Sequence, residues 1–307
     1  MTKIFIDGSA GTTGLRIRER LASRSDIALI TLSEETRKDP DARREALNRA
    51  DIAFLCLPDQ AAIEAVALID NPHTAVIDTS TAHRTAAGWV YGMAELHGQR
   101  EKIARSKRIA NPGCHASGFI ALIAPLVRAG LVKDDARLSC FSLTGYSGGG
   151  KKMIAEYEAQ DRSPLLKAPR QYGLSQQHKH LKEMAVICGL QEPPGFSPIV
   201  ADFYSGMEVS VQLFNTNVDE IKSVYKEAYP GPVIKYAEGA DESGFLSAAA
   251  YSGRDDMEIT VHGTDERALL TARFDNLGKG ASGAAIQNMN LLMGLCETEG
   301  LAIGVDD

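Results

Sequence analysis

No stretch of this chain is apolar for long enough to cross a bilayer. Its longest runs, Ile52 to Pro58 and Phe119 to Val127, fall well short of the roughly 20 residues a spanning helix needs. A basic surplus is missing too: 33 Lys and Arg stand against 40 Asp and Glu, a net charge of −7 that sets nucleic acid aside as the main partner. Cysteine is sparse, and Cys56, Cys114, Cys140, Cys188 and Cys296 are scattered, odd in number and never spaced CxxC. Free thiols in a reducing cytosol are therefore expected, with Cys56, Cys140, Cys188 and Cys296 read as core residues of apolar strands or helices. Strand-like sequence begins directly after Met1-Thr2-Lys3, so no signal or transit segment is expected and a cytoplasmic location follows. Aromatics are few, but 44% hydrophobic and 24% charged residues over 307 positions suffice for two globular domains or one large α/β domain.

The first third alternates strands and helices. Lys3-Ile4-Phe5-Ile6-Asp7 is a short apolar strand, followed at once by Gly8-Ser9-Ala10-Gly11-Thr12-Thr13-Gly14 and a helix from about Leu15. Strand, glycine turn and helix form the context in which glycines let a pyrophosphate approach the backbone at a helix N-terminus. The spacing is GxxGxxG rather than GxGxxG. The second strand, Ile27 to Leu32, is closed by Ser33 and not by an acidic residue, with Arg37 and Lys38 just beyond. A hydroxyl followed by basic side chains suits a 2′-phosphate, which favours NADP over NAD. Asp51 to Pro58 reads as a central parallel strand, Ala61 to Leu68 as a helix and Ala75 to Asp78 as another strand. At the carboxyl end of that strand, Arg84 offers a planar fork suited to a carboxylate or phosphate.

Asn111-Pro112-Gly113-Cys114-His115-Ala116-Ser117-Gly118 follows a short strand and precedes a helical pattern from Phe119 to Ala129. Cys114 is thereby expected in a first helical turn, where unpaired N–H groups and the helix dipole favour a thiolate, and a protonated His115 would add positive potential. Beyond it the pattern changes to strands with few helices between them: Arg137–Thr144, Met207–Leu213, Val233–Tyr236, Glu258–His262 and Leu269–Phe274. Gly145 to Lys152 reads as a glycine loop whose N–H groups and lysines can cradle an anion. His178-Lys179-His180 precedes an amphipathic helix from Leu181 to Gly189. No further ligand has suitable spacing for a metal, so the pair is read as acid/base partners for the cysteine and no metal is expected. A last helix spans about Ala281 to Cys296.

In order, these motifs resemble the N-acetyl-γ-glutamyl-phosphate reductase family of the aspartate-semialdehyde dehydrogenase superfamily, in its compact second subclass. The resemblance covers nearly the whole chain. It rests on the glycine turn, Asp78-Thr79-Ser80-Thr81-Ala82-His83-Arg84, Tyr91-Gly92-Met93-Ala94-Glu95-Leu96, Asn111–Cys114, Gly145–Lys151, His178-Lys179-His180, and Asp275–Gly280 with Gln287-Asn288-Met289-Asn290. Longer members carry an aromatic residue and a proline after the cysteine, where this chain has His115-Ala116. The fold implied is α/β: a Rossmann-like doubly wound parallel sheet over 1–114 and 279–307, and an α+β catalytic domain with a largely antiparallel sheet over 115–278. The resemblance implies NADPH-dependent reduction of N-acetyl-γ-glutamyl phosphate through a thioester on Cys114, a step in arginine synthesis, with His178 or His180 as acid/base. It further implies cofactor contacts at Gly8, Ser9, Gly11, Thr12, Thr13, Gly14, Ser33, Arg37, Lys38, Ser147, Gly148, Asn276, Gln287 and Asn288. Substrate contacts are implied at Ser80, Arg84, Asn111, His115 and Lys151, together with a homo-oligomer, dimer or tetramer. Reduction of another acyl phosphate such as aspartyl phosphate is the nearest alternative, and a dinucleotide-binding redox regulator is the alternative of another class.

Overall fold

Thr2–Asp7 (β1) turns at Gly8 into Thr12–Leu21 (α1) in the computed structural model, which describes residues 1–304. Ile27–Ile30 (β2), Pro40–Arg49 (α2), Ile52–Leu55 (β3), Asp59–Ala67 (α3), Ala75–Asp78 (β4), Val90–Tyr91 (β5), Gln99–Arg105 (α4) and Arg108–Ala110 (β6) follow. Their six strands form one all-parallel sheet in the order β2-β1-β3-β4-β6-β5. The order reverses between β1 and β3, so the glycine turn leaves β1 at the crevice where doubly wound sheets bind ligands. Ala53, Leu55 and Val76 of the sheet pack with Leu47 of α2 and Ala62 of α3, all buried.

Cys114–Arg128 (α5), Ser139–Gly145 (β7), Gly150–Glu158 (α6), Arg170–Gln171 (β8), Leu181–Cys188 (α7), Gly195–Ala201 (β9), Met207–Phe214 (β10), Val218–Ala228 (α8), Ile234–Tyr236 (β11), Met257–Thr264 (β12) and Arg267–Phe274 (β13) build a second sheet. Its order is β11-β12-β13-β10-β7-β9-β8; four pairings are antiparallel, and β11–β12 and β7–β9 are parallel. Gly118 lets α5 lie directly on this sheet: a Cβ there would come 2.5 Å from a Val209 methyl. A π-helical turn at Gly278–Ser282 then leads into Gly283–Leu292 (α9). The chain divides into two compact units. The first holds Met1–Ala94, Gly98–Pro112 and Ala281–Gly300; the second holds Glu95–His97, Gly113–Gly280 and the described residues from Leu301 on.

Several boundaries differ from those expected. α1 begins at Thr12, three residues before Leu15, because extended Gly11 is its N-cap and Leu15 N–H already bonds Gly11 O at 2.8 Å. α5 begins at Cys114, where turn chemistry puts a first helical turn, although small and polar residues hide the apolar period until Phe119. The glycine loop is shorter than read: a 3₁₀ turn over Tyr146–Gly149 passes straight into α6, which carries Lys151. β8, β9, α2 and α4 lie outside the expected elements, β9 carrying Pro198 within it. α9 stops at Leu292, so Cys296 is exposed and not a core residue, while Cys140 and Cys188 are buried as expected.

Candidate active site

In the first unit the glycine turn is forced by crowding. Gly8 has φ +86°, and a Cβ there would meet Cys56 O at 2.2 Å; a Cβ on Gly14 would meet Gly8 O at 2.5 Å. No side chain caps α1 and no acidic residue sits in its first turn, so the N–H groups of Thr12 and Thr13 form an anion-accepting helix end beside Ser9, while the Gly11 N–H closes the turn on Gly8 O at 3.0 Å. Ser33, Arg37 and Lys38 lie exposed in the turn after β2. There Ser33 Oγ meets Thr36 Oγ1 at 3.0 Å and Arg37 is paired with Glu34 at 2.6 Å.

After β4, Ser80 Oγ donates to Asp78 Oδ2 at 2.7 Å, and His83 Nδ1 meets the same oxygen at 2.6 Å while its ring stacks on Trp89. Arg84 is buried, with Nε donating to Asn111 O at 3.0 Å and an Nη to Thr79 O at 3.1 Å. Its fork therefore braces the segment before Cys114. Asn111 Nδ2 donates to Ala281 O, and Asn288 Nδ2 to Gly92 O and Asn111 Oδ1. Asn288 Oδ1 is buried without a hydrogen-bond partner among the described residues. Gln287 is turned elsewhere, its amide donating to Glu297 at 2.8 Å.

In the second unit Cys114 occupies the first position of the 15-residue α5. Its N-cap Gly113 has no side chain to satisfy the free N–H groups, so the dipole end faces the thiol. The Gly113 N–H is itself held by Glu183 Oε1, buried in α7, at 2.9 Å. Gly280 closes the other side: a Cβ on it would come 2.9 Å from Cys114 Cβ.

The next residue, His115, is buried. Nδ1 meets Ser142 Oγ and Nε2 meets Tyr172 Oη, each at 2.6 Å. Burial, with the charges of His178 and Lys179 adding to it, pushes its pKa down to about 3. The expected positive potential from a protonated His115 is thus not present at neutral pH, because desolvation keeps the imidazole uncharged.

His178 and His180 each pack on the His115 ring with centroids 5.6 Å apart, and on one another at 4.8 Å. The His180 N–H donates to His178 Nδ1 at 3.3 Å, which leaves Nε2 of neutral His178 as its proton-bearing atom. Burial lowers the pKa of His178, with nearby Lys179 adding to the effect. Tyr172 is shifted the other way, raised by burial and by the Cys114 charge. No group of three or more His, Cys, Asp or Glu side chains among the described residues is arranged to hold a metal.

Ser147 Oγ accepts from Asn276 Nδ2 at 3.0 Å, and Asn276 Oδ1 accepts from Gly206 N–H. Gly148 lies against the same amide, so Ser147, Gly148 and Asn276 come together. Lys151 projects exposed from α6. Glu183, Tyr172, Ser142 and Gly280 carry roles the sequence reading missed. Only Glu183 left a signal, three residues after His180 in the first turn of a helix.

A parallel nucleotide sheet in one unit and, in the other, a cysteine at an uncapped helix start beside a histidine pair define an oxidoreductase of the phosphorylating aldehyde-dehydrogenase type. Family models agree: "Semialdehyde dehydrogenase, NAD binding domain" matches residues 3–106 and "Semialdehyde dehydrogenase, dimerisation domain" matches residues 114–276. Among curated relatives, an N-acetyl-gamma-glutamyl-phosphate reductase 2 of Nostoc sp. is 45% identical, covering 97% of this chain and 99% of its own length. An N-acetyl-gamma-glutamyl-phosphate reductase of Brucella anthropi is 47% identical over 95% of this chain and 98% of its own. Among solved structures, aspartate semialdehyde dehydrogenase II of Vibrio cholerae superposes with a TM-score of 0.71 at 16% identity, over 96% of this chain and 98% of that one. The chain belongs to the N-acetyl-gamma-glutamyl-phosphate reductase family.

Proposed function

We propose that this chain reduces N-acetyl-γ-glutamyl phosphate to N-acetylglutamate 5-semialdehyde with NADPH, through a thioester on Cys114, in arginine biosynthesis. The observation that carries the reading is Cys114 at the uncapped start of α5, with His178 and His180 packed on the adjoining residue. The dinucleotide fits the first unit by the uncapped α1 terminus, where Thr12 and Thr13 N–H groups would hold the pyrophosphate. When bound, it supplies the hydride.

The residues of the chain do the rest. The Cys114 thiolate attacks the acyl carbon, the C–O bond to phosphate breaks, and a thioester forms. α5 N–H groups stabilise the oxyanion at that step. Reduction at the thioester carbon leaves a tetrahedral oxyanion, which the α5 N–H groups would hold. As it collapses, the C–S bond breaks and the aldehyde leaves with Cys114 again a thiolate; where one of the His178/His180 pair lends that oxygen a proton, it takes the same proton back. Arg84 supports the segment before the nucleophile, and exposed Lys151 offers positive charge for an anion. Self-association through the second unit fits the dimerisation-domain description and the exposed Phe141 and Phe214.

The purified chain is assayed for phosphate-dependent oxidation of N-acetylglutamate semialdehyde and of aspartate semialdehyde. Preference for the first supports the reading, and preference for the second overturns its substrate. Cys114→Ser is expected to abolish turnover while dinucleotide binding persists; retained turnover sinks the thioester route.

A further inference from the structure

Asp275 follows directly on β13, is fully buried, and takes no part in the steps above. Both oxygens of its carboxylate are engaged within the second unit. Oδ1 accepts the Leu277 N–H at 2.6 Å and the Gly278 N–H at 3.0 Å, while Oδ2 accepts the Ser205 hydroxyl at 2.8 Å and the Gly253 N–H. Four donors thus meet the four acceptor sites a carboxylate offers, and an amide in its place would turn donors toward donors. The main chain adds to this, with Asp275 O accepting from the Gly278 N–H at 3.1 Å and the Gly280 N–H at 3.0 Å. One residue therefore ties the segments before β10 and β12 to the turn that runs from Asp275 to Gly280.

That turn ends against the thiol-bearing residue. A Cβ on Gly280 would come 2.9 Å from Cys114 Cβ, 3.2 Å from Asp275 O and 3.3 Å from the Phe274 ring, so no side chain fits between the Gly280 backbone and Cys114. The buried Phe274 ring backs the turn, and a Cβ on Gly118 of α5 would meet that ring at 3.0 Å. A backbone this close blocks one side of the cysteine and restricts the staggered positions open to its sulfur. We propose that Asp275 is a positioning residue for the reaction at Cys114: its carboxylate, by gathering four donors, holds Gly280 against the cysteine, fixes the direction of the thiol and closes one side of the space around it. This rests on Cys114 being the nucleophile.

The test is Cys114 alkylation in the full chain by a slender and a bulky reagent, iodoacetamide and N-ethylmaleimide, with the modified residue assigned by mass spectrometry and turnover measured beside it. Asp275→Asn keeps the size of the side chain and exchanges two acceptor sites for donors. The ratio of the N-ethylmaleimide rate to the iodoacetamide rate should rise about fivefold as the wall loosens. In turnover, kcat should fall about 100-fold, the cost of a misplaced reacting group, and KM for the semialdehyde should move far less. Ser205→Ala removes one donor and should change both readings in the same directions by less; it carries the test where Asp275→Asn does not fold. Gly280→Ala crowds the cysteine from the same side and should lower both the ratio and kcat. An unmoved ratio in folded Asp275→Asn and Ser205→Ala overturns the proposal, and so does a raised ratio in Gly280→Ala. A loss of thermal stability with ratio and kcat unchanged also overturns it, because Asp275 then serves the fold alone. Alkylation is read without turnover, so a failure of the proposed reaction is seen separately in Cys114→Ser.

Discussion

His115 ties protonation to stability. Its pKa is about 3 in the fold, against roughly 6.5 in an open chain. Between those values the unfolded chain binds the extra proton, so stability is complete above about pH 6.5 and declines as pH falls through the window. His178, also lowered, acts in the same direction. Denaturant midpoints should therefore drop between about pH 7.5 and pH 5.5, by about 1 kcal/mol from His115. The drop should be smaller in His115→Phe, and an equal drop in both proteins rejects this account. At the second residue-scale position, Arg37 and Lys38 stand exposed beyond Ser33. Replacing both by Ala should weaken NADP several-fold more than NAD in titrations; equal losses would show that the turn does not read a 2′-phosphate. Both positions were visible in the sequence. The neutrality of His115 was not, since it comes from burial by Tyr172, Phe196 and His178, which are 57 or more positions away in the chain.

At the scale of elements, α5 contains Pro125, which has no N–H for the Ala121 carbonyl one turn earlier. Tyr229, just after α8, supplies the missing donor: its phenol bonds Ala121 O at 2.7 Å, and Tyr225 of α8 bonds Leu122 O. The helix that begins at Cys114 thus tolerates a proline through donors from its neighbour. Tyr229→Phe should cost about 1–3 kcal/mol by leaving a buried carbonyl unpaired. In a Pro125→Ala background, where the backbone N–H returns, the same change should cost less; equal costs in a double-mutant cycle would refute the link. The helix was legible from its apolar period after Phe119. Its start at Cys114 was read from turn chemistry, and the phenol donors lie about 100 residues away, where no local pattern announces them.

For the whole molecule, the second sheet has one face covered by helices, including α5 and α8, and another that leaves Phe141 50% and Phe214 63% exposed. Large exposed aromatics on an open sheet face mark an association surface. Light scattering should give a mass that is a multiple of 33.0 kDa, and Phe141→Asp should shift it toward a single chain. A wild-type monomer would remove the inference. The mixed character of this sheet was only partly readable. Alternation along β10, β12 and β13 revealed half-buried strands, but β9 carries Pro198 and β8 has two residues, so neither produced a periodic signal.

The sequence by itself determined the parallel nucleotide sheet, the glycine turn, the cysteine at a helix start and the histidine pair. Those depend on local rules: turn residues, period and the free N–H groups of a helix end. Tertiary structure alone decided that His115 is uncharged, that Arg84 braces backbone carbonyls, that Glu183 holds Gly113, and that Gly280 lies against Cys114. Each depends on desolvation or contact between segments distant in the chain, and neither quantity is defined until the chain has folded.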